Sequence, residues 1–318
     1  MDKNKLISIV LPIYNEEKVI RVLYHRIISA ISGLAYDFEL IFVNDASSDD
    51  TLATLLSLHR TDKRVKVISF SRNFGHQSAL IAGIEHAKGD ALILMDADLE
   101  DDPKEIPSFV KEWENGYDVV YARRSGREAS WFRKMCFSLF HKLNYAISET
   151  KVDAAGIFSL MDKKVSGYLK KLPEKDKYLP GLRSWIGFRQ IGIEIKRGKR
   201  YDSQPRVKVK HLFKLAFDSF TSFSTLPLQI SIFFGLAFVI LSFLAILSIA
   251  IAKLFYKFPV QGWASIVSII LLVGGIQLIC IGLQGEYICR IFNEVKNRPN
   301  YIISSTTGFE ENGREADN

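Results

Sequence analysis

The sequence predicts an α/β chain: a mostly parallel sheet with flanking helices, followed by segments apolar enough for a bilayer. Three observations carry that expectation. Between residues 6 and 95, four short apolar runs alternate with stretches of helical period, the pattern of strands joined by crossover helices. Each run stops in a polar loop, at Asn15, Asp45, Asn73 and Asp96. Four loops therefore gather at one sheet edge, the edge where open α/β sheets bind ligands. Farther on, the stretches 219–252 and 258–285 contain no charged residue, and each exceeds the roughly 20 apolar residues that cross a bilayer.

Taken in order, residues 6–12 read as a first strand, and Tyr14-Asn-Glu-Glu17 as the loop and cap of a helix reaching about Ile31. Residues 38–43 form a second strand, and the polar cluster Asn44-Asp-Ala-Ser-Ser-Asp-Asp50 caps a helix over 52–58. A third strand spans 65–69, a third helix 77–87 and a fourth strand 91–95. A helix over 105–114 and a strand over 117–122 follow. In Trp131–Leu143, Phe132, Met135, Leu139 and Leu143 share one helical face, with Arg133, Lys134 and Lys142 off it. From Val209, the residues Leu212, Phe213, Ala216, Phe217 and Phe220 recur at helical spacing beside Lys208, Lys210 and Lys214, a basic amphipathic helix suited to an anionic membrane surface.

Two transmembrane helices are expected at 227–252 and 262–289, joined by a turn over 253–261. Basic residues crowd 196–214 and recur at Arg290, Lys296 and Arg298, whereas the turn holds only Lys253 and Lys257. Loop charge of that asymmetry puts both termini in the cytosol. No signal peptide is visible at the start. Residues 303–318, polar and acidic, read as a disordered tail. The expected divisions are a catalytic domain over 1–205, a juxtamembrane helix over 206–226, two spans over 227–290 and a cytosolic tail over 291–318.

A net charge of +7 suits an anionic partner. Nucleic acid is not expected, because no reader motif accompanies the charge and the basic residues gather beside the apolar segments. Cys136, Cys280 and Cys289 are odd in number and lack metal-ligand spacing, so they read as free thiols.

The fourth strand ends in Met95-Asp-Ala-Asp-Leu99. Alternate residues of an extended segment share a face, so Asp96 and Asp98 are expected to converge on one object. Paired carboxylates repel unless something positive neutralises them. A hard divalent cation, Mg²⁺ or Mn²⁺, does so and in turn grips a diphosphate. Neither Gly-x-Gly-x-x-Gly nor a Gly-x-x-x-x-Gly-Lys-Ser/Thr loop is present, so a nucleotide would be held by carboxylates and metal instead of a glycine cradle. Asp45 is placed to accept from a ribose hydroxyl or base N–H, or else to cap a helix.

Ser8-Ile-Val-Leu-Pro-Ile-Tyr-Asn-Glu-Glu17, Val43-Asn-Asp-Ala-Ser47, Ser71-Arg-Asn-Phe-Gly-His-Gln77 and the Asp96-Ala-Asp98 motif resemble the family 2 glycosyltransferases of GT-A fold. With Ser222-Phe-Ser-Thr-Leu-Pro-Leu228, the chain from about residue 6 to 300 is more closely similar to the polyprenyl-phosphate glycosyltransferases, the bactoprenol glucosyltransferases and dolichol-phosphate mannose synthases among them. The resemblance implies transfer of a hexose, glucose first, from a nucleotide diphosphate sugar to undecaprenyl or another polyprenyl phosphate at the inner membrane. It further implies inversion, metal dependence and a homo-oligomer such as a tetramer. It assigns Pro12, Tyr14, Glu16 and Asp45 to the nucleotide pocket and Asp96 and Asp98 to the metal. Arg124, Arg133 and Arg206 are assigned to the lipid phosphate, for which planar guanidinium is the best fork.

One position departs from that family. Bactoprenol glucosyltransferases carry Gly-Asp-Phe-Arg-Leu where this chain has Gly156-Ile-Phe-Ser-Leu160, so Ile157 replaces an acid often proposed as the base, with Asp153 nearby. A sugar hydroxyl needs a base; a phosphate monoester, with its second pKa near ~6, is already an anion. The rivals are a catalytically inactive membrane scaffold, for which Ile157 speaks, and a processive polysaccharide synthase, whose Gln-x-x-Arg-Trp signature is absent.

Overall fold

The structure, a computed structural model, describes residues 5–125, 155–174, 178–196 and 262–309, together with seven helical positions between 235 and 251. Arg133, Asp153 and Arg206, the juxtamembrane helix over 206–226, most of the first expected span and residues 310–318 lie outside them.

The apolar runs fold as expected. Strand β1 (Leu6–Ile13) is buried along almost its whole length, because helices cover both of its faces. It pairs in parallel with β2 (Asp37–Asn44) and β4 (Ala91–Leu94), and β2 pairs in parallel with β3 (Val65–Phe70). Between them run α1 (Glu17–Ile31), α2 (Thr51–Thr61) and α3 (His76–His86). Val19, Ile20, Leu23, Ile27 and Ile31 put one apolar stripe of α1 on the sheet. That stripe joins Leu55 and Leu58 of α2, and Ile106, Phe109, Val110 and Trp113 of α4 (Ile106–Glu114), over Ile9, Leu11, Leu40, Phe42 and Ile93. Helix α3 covers the other face at close range. A Cβ on Gly83 would stand 2.2 Å from the Val10 Cγ1, so glycine is what lets helix and strand approach.

Four further strands complete an eight-stranded sheet: β5 (Val119–Ser125), β6 (Ala155–Asp162), β7 (Gln190–Lys196) and β8 (Ile303–Thr307). Its order is β7-β5-β6-β4-β1-β2-β3-β8. Strand β6 is antiparallel to β4 and β5, while β5 and β7 are parallel. The sheet is therefore mixed. Helices α5 (Lys163–Lys171) and α6 (Leu179–Ile186) separate β6 from β7.

The expected disordered tail is corrected by β8. Ile303–Thr307 pairs antiparallel with β3, and Phe309 meets His86 edge-on with ring centroids 5.7 Å apart. The acidic residues after 309 dominate the composition of 303–318, but Ile-Ser-Ser-Thr-Thr is β-branched and suits an edge strand.

The chain divides into two compact units, and the sheet unit takes back residues from Pro299 onward. In the second unit, α7 (Trp263–Val295) has 33 residues, about 50 Å at ~1.5 Å per residue. It outruns the expected end at 289 by six residues. Asn297, at φ 47°, and Pro299 lie just past its end. Ile269, Ile270, Leu272, Leu278, Ile281, Ile288 and Ile291 are exposed around it. Such a surface calls for a non-aqueous neighbour. Among the described residues this is the one helix long and apolar enough to cross a membrane.

Candidate active site

The loops after β1, β2, β3 and β4 are tied into one rim. Asn15, at φ 54°, turns the chain out of β1. Its N–H donates to the Ser47 Oγ at 2.9 Å, and its side-chain oxygen accepts from the Ser48 N–H at 2.8 Å. The Glu16 N–H donates to the Thr51 Oγ1 at 3.0 Å and the Glu17 N–H to the Asp49 Oδ2 at 3.3 Å. The Asp50 N–H donates back to the Glu17 Oε2 at 3.1 Å.

Asp45 makes the next link. It is buried, and its two oxygens accept from the Phe74 N–H at 2.6 Å and the Gly75 N–H at 2.9 Å. Burial pushes its carboxyl up, against the pull of those two N–H donors and of His76. Asp45 caps neither α2 nor α3; it clamps the loop that opens α3. Gly75 sits at φ 94°, a conformation costly to any residue with a Cβ, which accounts for glycine in Asn-Phe-Gly-His.

His76 closes the rim. Its Nε2 lies 2.8 Å from the Asp96 Oδ1, with the imidazole about half-exposed. Burial presses its pKa down, but the hydrogen bond and charge of Asp96, with Asp98 and Asp45 beyond, outweigh this and raise it above the ordinary imidazole value. Nothing in the sequence marks His76 for this place beyond its motif: a histidine opening a helix carries no signal that a carboxylate faces it.

Strand β4 ends at Leu94, so Asp96 and Asp98 sit in the loop beyond it, where Leu99 has φ 59°. The Asp98 Oδ1 accepts from the Glu100 N–H at 3.0 Å. Burial still alternates through this loop, with Ala97 and Leu99 in the core and Asp96 and Asp98 half-buried, and both carboxylates bear on His76. Their donor set is hard oxygen, which fits Mg²⁺ or Mn²⁺. Among the described residues no third His, Cys, Asp or Glu joins a ligand cluster, so further ligands would come from diphosphate and water.

The other expected residues are distributed around this rim. Pro12 is buried within β1 opposite Val43, while Tyr14 is 44% exposed on the lip. Glu16 is half-buried at the start of α1, where its carbonyl accepts from the Val19 and Ile20 N–H groups. Arg124 lies on β5 opposite Ile195. Register places the basic end of β5 relative to the carboxylates. Leu94 pairs with Ser159, and Ser159 with Tyr121. Strand β6 thus separates the end of β4 that leads into Asp96 from the end of β5 that carries Arg123 and Arg124.

Here β6 bulges. Tyr121 pairs with Ser159 but Arg123 pairs with Ala155, and the Ser159 Oγ donates to the Ile157 carbonyl at 2.8 Å. Bulges of this kind re-aim side chains beside sites. Ile157, the replaced acid, stands in the bulge between the carboxylate loop and the arginine-bearing strand end. A second residue absent from the sequence reading is Arg183 on α6, 4% exposed, whose guanidinium lies 5.0 Å from the Tyr121 ring centroid. Burial pushes it down to about 10, so it stays cationic at neutral pH. A charged residue inside the apolar run Leu-Pro-Gly-Leu-Arg-Ser-Trp-Ile was the available signal.

Comparison with known proteins matches residues 8–168 to glycosyl transferase family 2. The chain is 39% identical over 312 residues to the uncharacterized glycosyltransferase YkcC of Bacillus subtilis, covering 98% of this chain and 97% of that one. It is 39% identical over 302 residues to the SfII prophage-derived bactoprenol glucosyl transferase of Shigella flexneri, covering 94% and 98%. It is 36% identical over 299 residues to the prophage bactoprenol glucosyl transferase homolog of Escherichia coli K12, covering 93% and 98%.

Proposed function

This chain belongs to glycosyl transferase family 2 and is a glycosyltransferase; from that premise we propose that it moves a hexose from a nucleotide diphosphate sugar, UDP-glucose first, to undecaprenyl or another polyprenyl phosphate, with inversion at the anomeric carbon. The observation that carries the reading is the hydrogen-bonded rim. It fixes Asp45, His76 and Asp96 together at the sheet's carboxyl edge, two strands from the basic end of β5. The near full-length similarity to bactoprenol glucosyl transferases supports a polyprenyl acceptor.

In this mechanism the rim of Tyr14, Glu16 and Asp45, with Pro12 beneath, receives the nucleotide. Asp96 and Asp98 would hold Mg²⁺ or Mn²⁺ on its diphosphate, and a bound cation offsets the charge of the departing group. Arg124, Arg133 and Arg206 orient the lipid phosphate toward C1. A phosphate oxygen arrives ionised, so no side chain need remove a proton from it. The substitution of Ile157 for an acid is then compatible with turnover, because the residue between the two charged groups has only to exclude water.

Chain parity supports the membrane arrangement. Strands β7 and β8 belong to one sheet, so any bilayer crossings between Lys196 and Ile303 would be even in number. Helix α7 is long and apolar enough for one crossing. A partner crossing within 197–261 makes a hairpin, and 227–252 is the charge-free stretch there. Both termini then lie on one face, which the distribution of lysine and arginine assigns to the cytosol.

The test is a donor screen with the purified full-length protein, undecaprenyl phosphate and Mn²⁺, reading radiolabelled sugar in the organic phase. Label from UDP-glucose is the expected result. Should no nucleotide sugar give chloroform-soluble label, the acceptor assignment falls.

A further inference from the structure

The segment after α7 does more than close the sheet. The Ser71 N–H donates to the Ile302 carbonyl at 3.0 Å, so the first residue beyond β3 is held by the C-terminal segment. Next to it, the Tyr301 ring stacks on Phe70 with centroids 5.0 Å apart and planes 13° from parallel. Its hydroxyl donates to the Glu85 carboxylate on α3. Phe70 in turn meets Phe74 edge-on at 5.7 Å and 90°, and Arg72 lies over the outer part of the same system, 4.4 Å from the Phe74 centroid.

Phe74 is also the residue whose N–H reaches Asp45, and two positions on, His76 reaches Asp96. An aromatic ladder, Tyr301 to Phe70 to Phe74, thus runs from the C-terminal segment into the loop that holds both carboxylates. Loop backbones are mobile unless tied down, and the described contacts tie this one at both ends, to Asp45 and Asp96 on one side and to Tyr301 through Phe70 on the other.

We propose that Tyr301 is a positioning residue for the donor site: stacked on Phe70, it fixes the 71–76 loop in the conformation that clamps Asp45 and faces Asp96. The proposal rests on the reading of this rim as the nucleotide-sugar site. Phe70 and Phe74 stand between Tyr301 and the rim, so Tyr301 acts through them on donor binding and leaves the lipid acceptor alone.

The experiment uses the full-length protein in detergent and compares Tyr301→Ala, Tyr301→Leu and Tyr301→Phe with wild type. With UDP-glucose as probe, Tyr301→Ala is expected to raise the donor KM about tenfold, the scale of one lost aromatic pair, with the acceptor KM unchanged. Tyr301→Phe, which keeps the stack and loses only the hydroxyl, restores the wild-type value. Hydrogen–deuterium exchange gives a readout independent of turnover. The peptide covering 71–77 loses protection in Tyr301→Ala and Tyr301→Leu, while peptides of β1 and β2 do not. Unchanged protection over 71–77 overturns the proposal. So does protection lost throughout the sheet in both variants, which would make Tyr301 a stability residue only. If wild type turns over no donor, the functional reading fails, and the exchange result still decides whether Tyr301 positions the loop.

Discussion

The two ends of the central strands carry polar clusters built from the same kinds of residue, and they behave as opposites. At the amino ends, Glu39 of β2 is 2% exposed. Its carboxylate accepts from the Ser8 Oγ at 2.5 Å, the Lys66 Nζ at 2.6 Å and the Lys88 N–H at 2.8 Å. Ser8 in turn accepts from the Gly89 N–H at 2.9 Å. At the carboxyl ends, Asp96 keeps one described partner, a half-exposed histidine, and Asp98 lies close enough to bias the same imidazole. A closed network with a lysine against its carboxylate stabilises a fold. An open one, with several carboxylates and one titratable cation at a sheet edge, is an arrangement for binding. The difference lies in where the strands end, not in the residues.

The sharpest way to break the comparison is to delete the closed cluster. Glu39→Ala leaves the Lys66 ammonium, 18% exposed, without its carboxylate, and such losses cost ~3–5 kcal/mol. Urea unfolding of the full-length protein in detergent should show that loss, while the donor KM of the folded fraction stays at the wild-type value. The pH dependence follows from the same carboxylate. Burial raises the pKa of Glu39, but the Lys66, Ser8 and Lys88 donors together bring it below its ordinary 4.5. Its contribution is therefore complete above that value and is lost as pH falls through the lower folded pKa. Glu39→Gln should flatten the stability profile on the acid side of 4.5. A profile identical to wild type there would show that the closed cluster is not the acid-sensitive element.

Deleting part of the open cluster should have the reverse signature. Asp98→Asn is expected to lower turnover at least about a hundredfold through loss of cation binding, with the unfolding midpoint within ~0.5 kcal/mol of wild type, as for a surface substitution. Retained turnover in the donor assay would remove the metal role from Asp98.

How much of this was legible differs between the two ends for a physical reason. Strand–helix alternation and the loops at Asn15, Asp45, Asn73 and Asp96 could be read directly, because apolar period and chain polarity fix which strand ends share an edge. What those loops bond to could not. That Asp45 would clamp Phe74 and Gly75, or that His76 would face Asp96, depends on contacts 20 to 30 residues apart in sequence. Glu39 was read simply as part of a strand; a lone acid in Phe-Glu-Leu-Ile-Phe-Val gives no hint that Lys66 sits beside it until β2 and β3 are paired. The β6 bulge and the β8 strand escaped for a related cause, since short polar or irregular segments owe their structure to a partner strand already in place.

Between the two clusters lies the helix that spans them, and it yields the third perturbation. Helix α3 begins at His76 in the open cluster and ends at His86, just before Lys88 of the closed one. Gly83, near its far end, is where it rests on Val10 of β1. Val10 is wholly buried, so an added methyl at 83 cannot be absorbed by turning that side chain toward solvent. Gly83→Ala should cost ~1–3 kcal/mol by overpacking, more than offsetting the ~1 kcal/mol gained in helix propensity.

The smallest expected effect falls on the rim itself. Asn15→Ala removes the oxygen that accepts from Ser48 and replaces a residue suited to φ 54° by one that is not. Together these cost ~1–2 kcal/mol. Because the bond lies between two loops and not in the core, the loss should appear locally, as faster hydrogen exchange over 14–17 and 46–51 with little change elsewhere. If the rim acts as one unit, donor affinity falls with it even though Asn15 is assigned no ligand contact. Exchange that quickens without any change in donor KM would instead mean that the four loops are joined in space but bind independently.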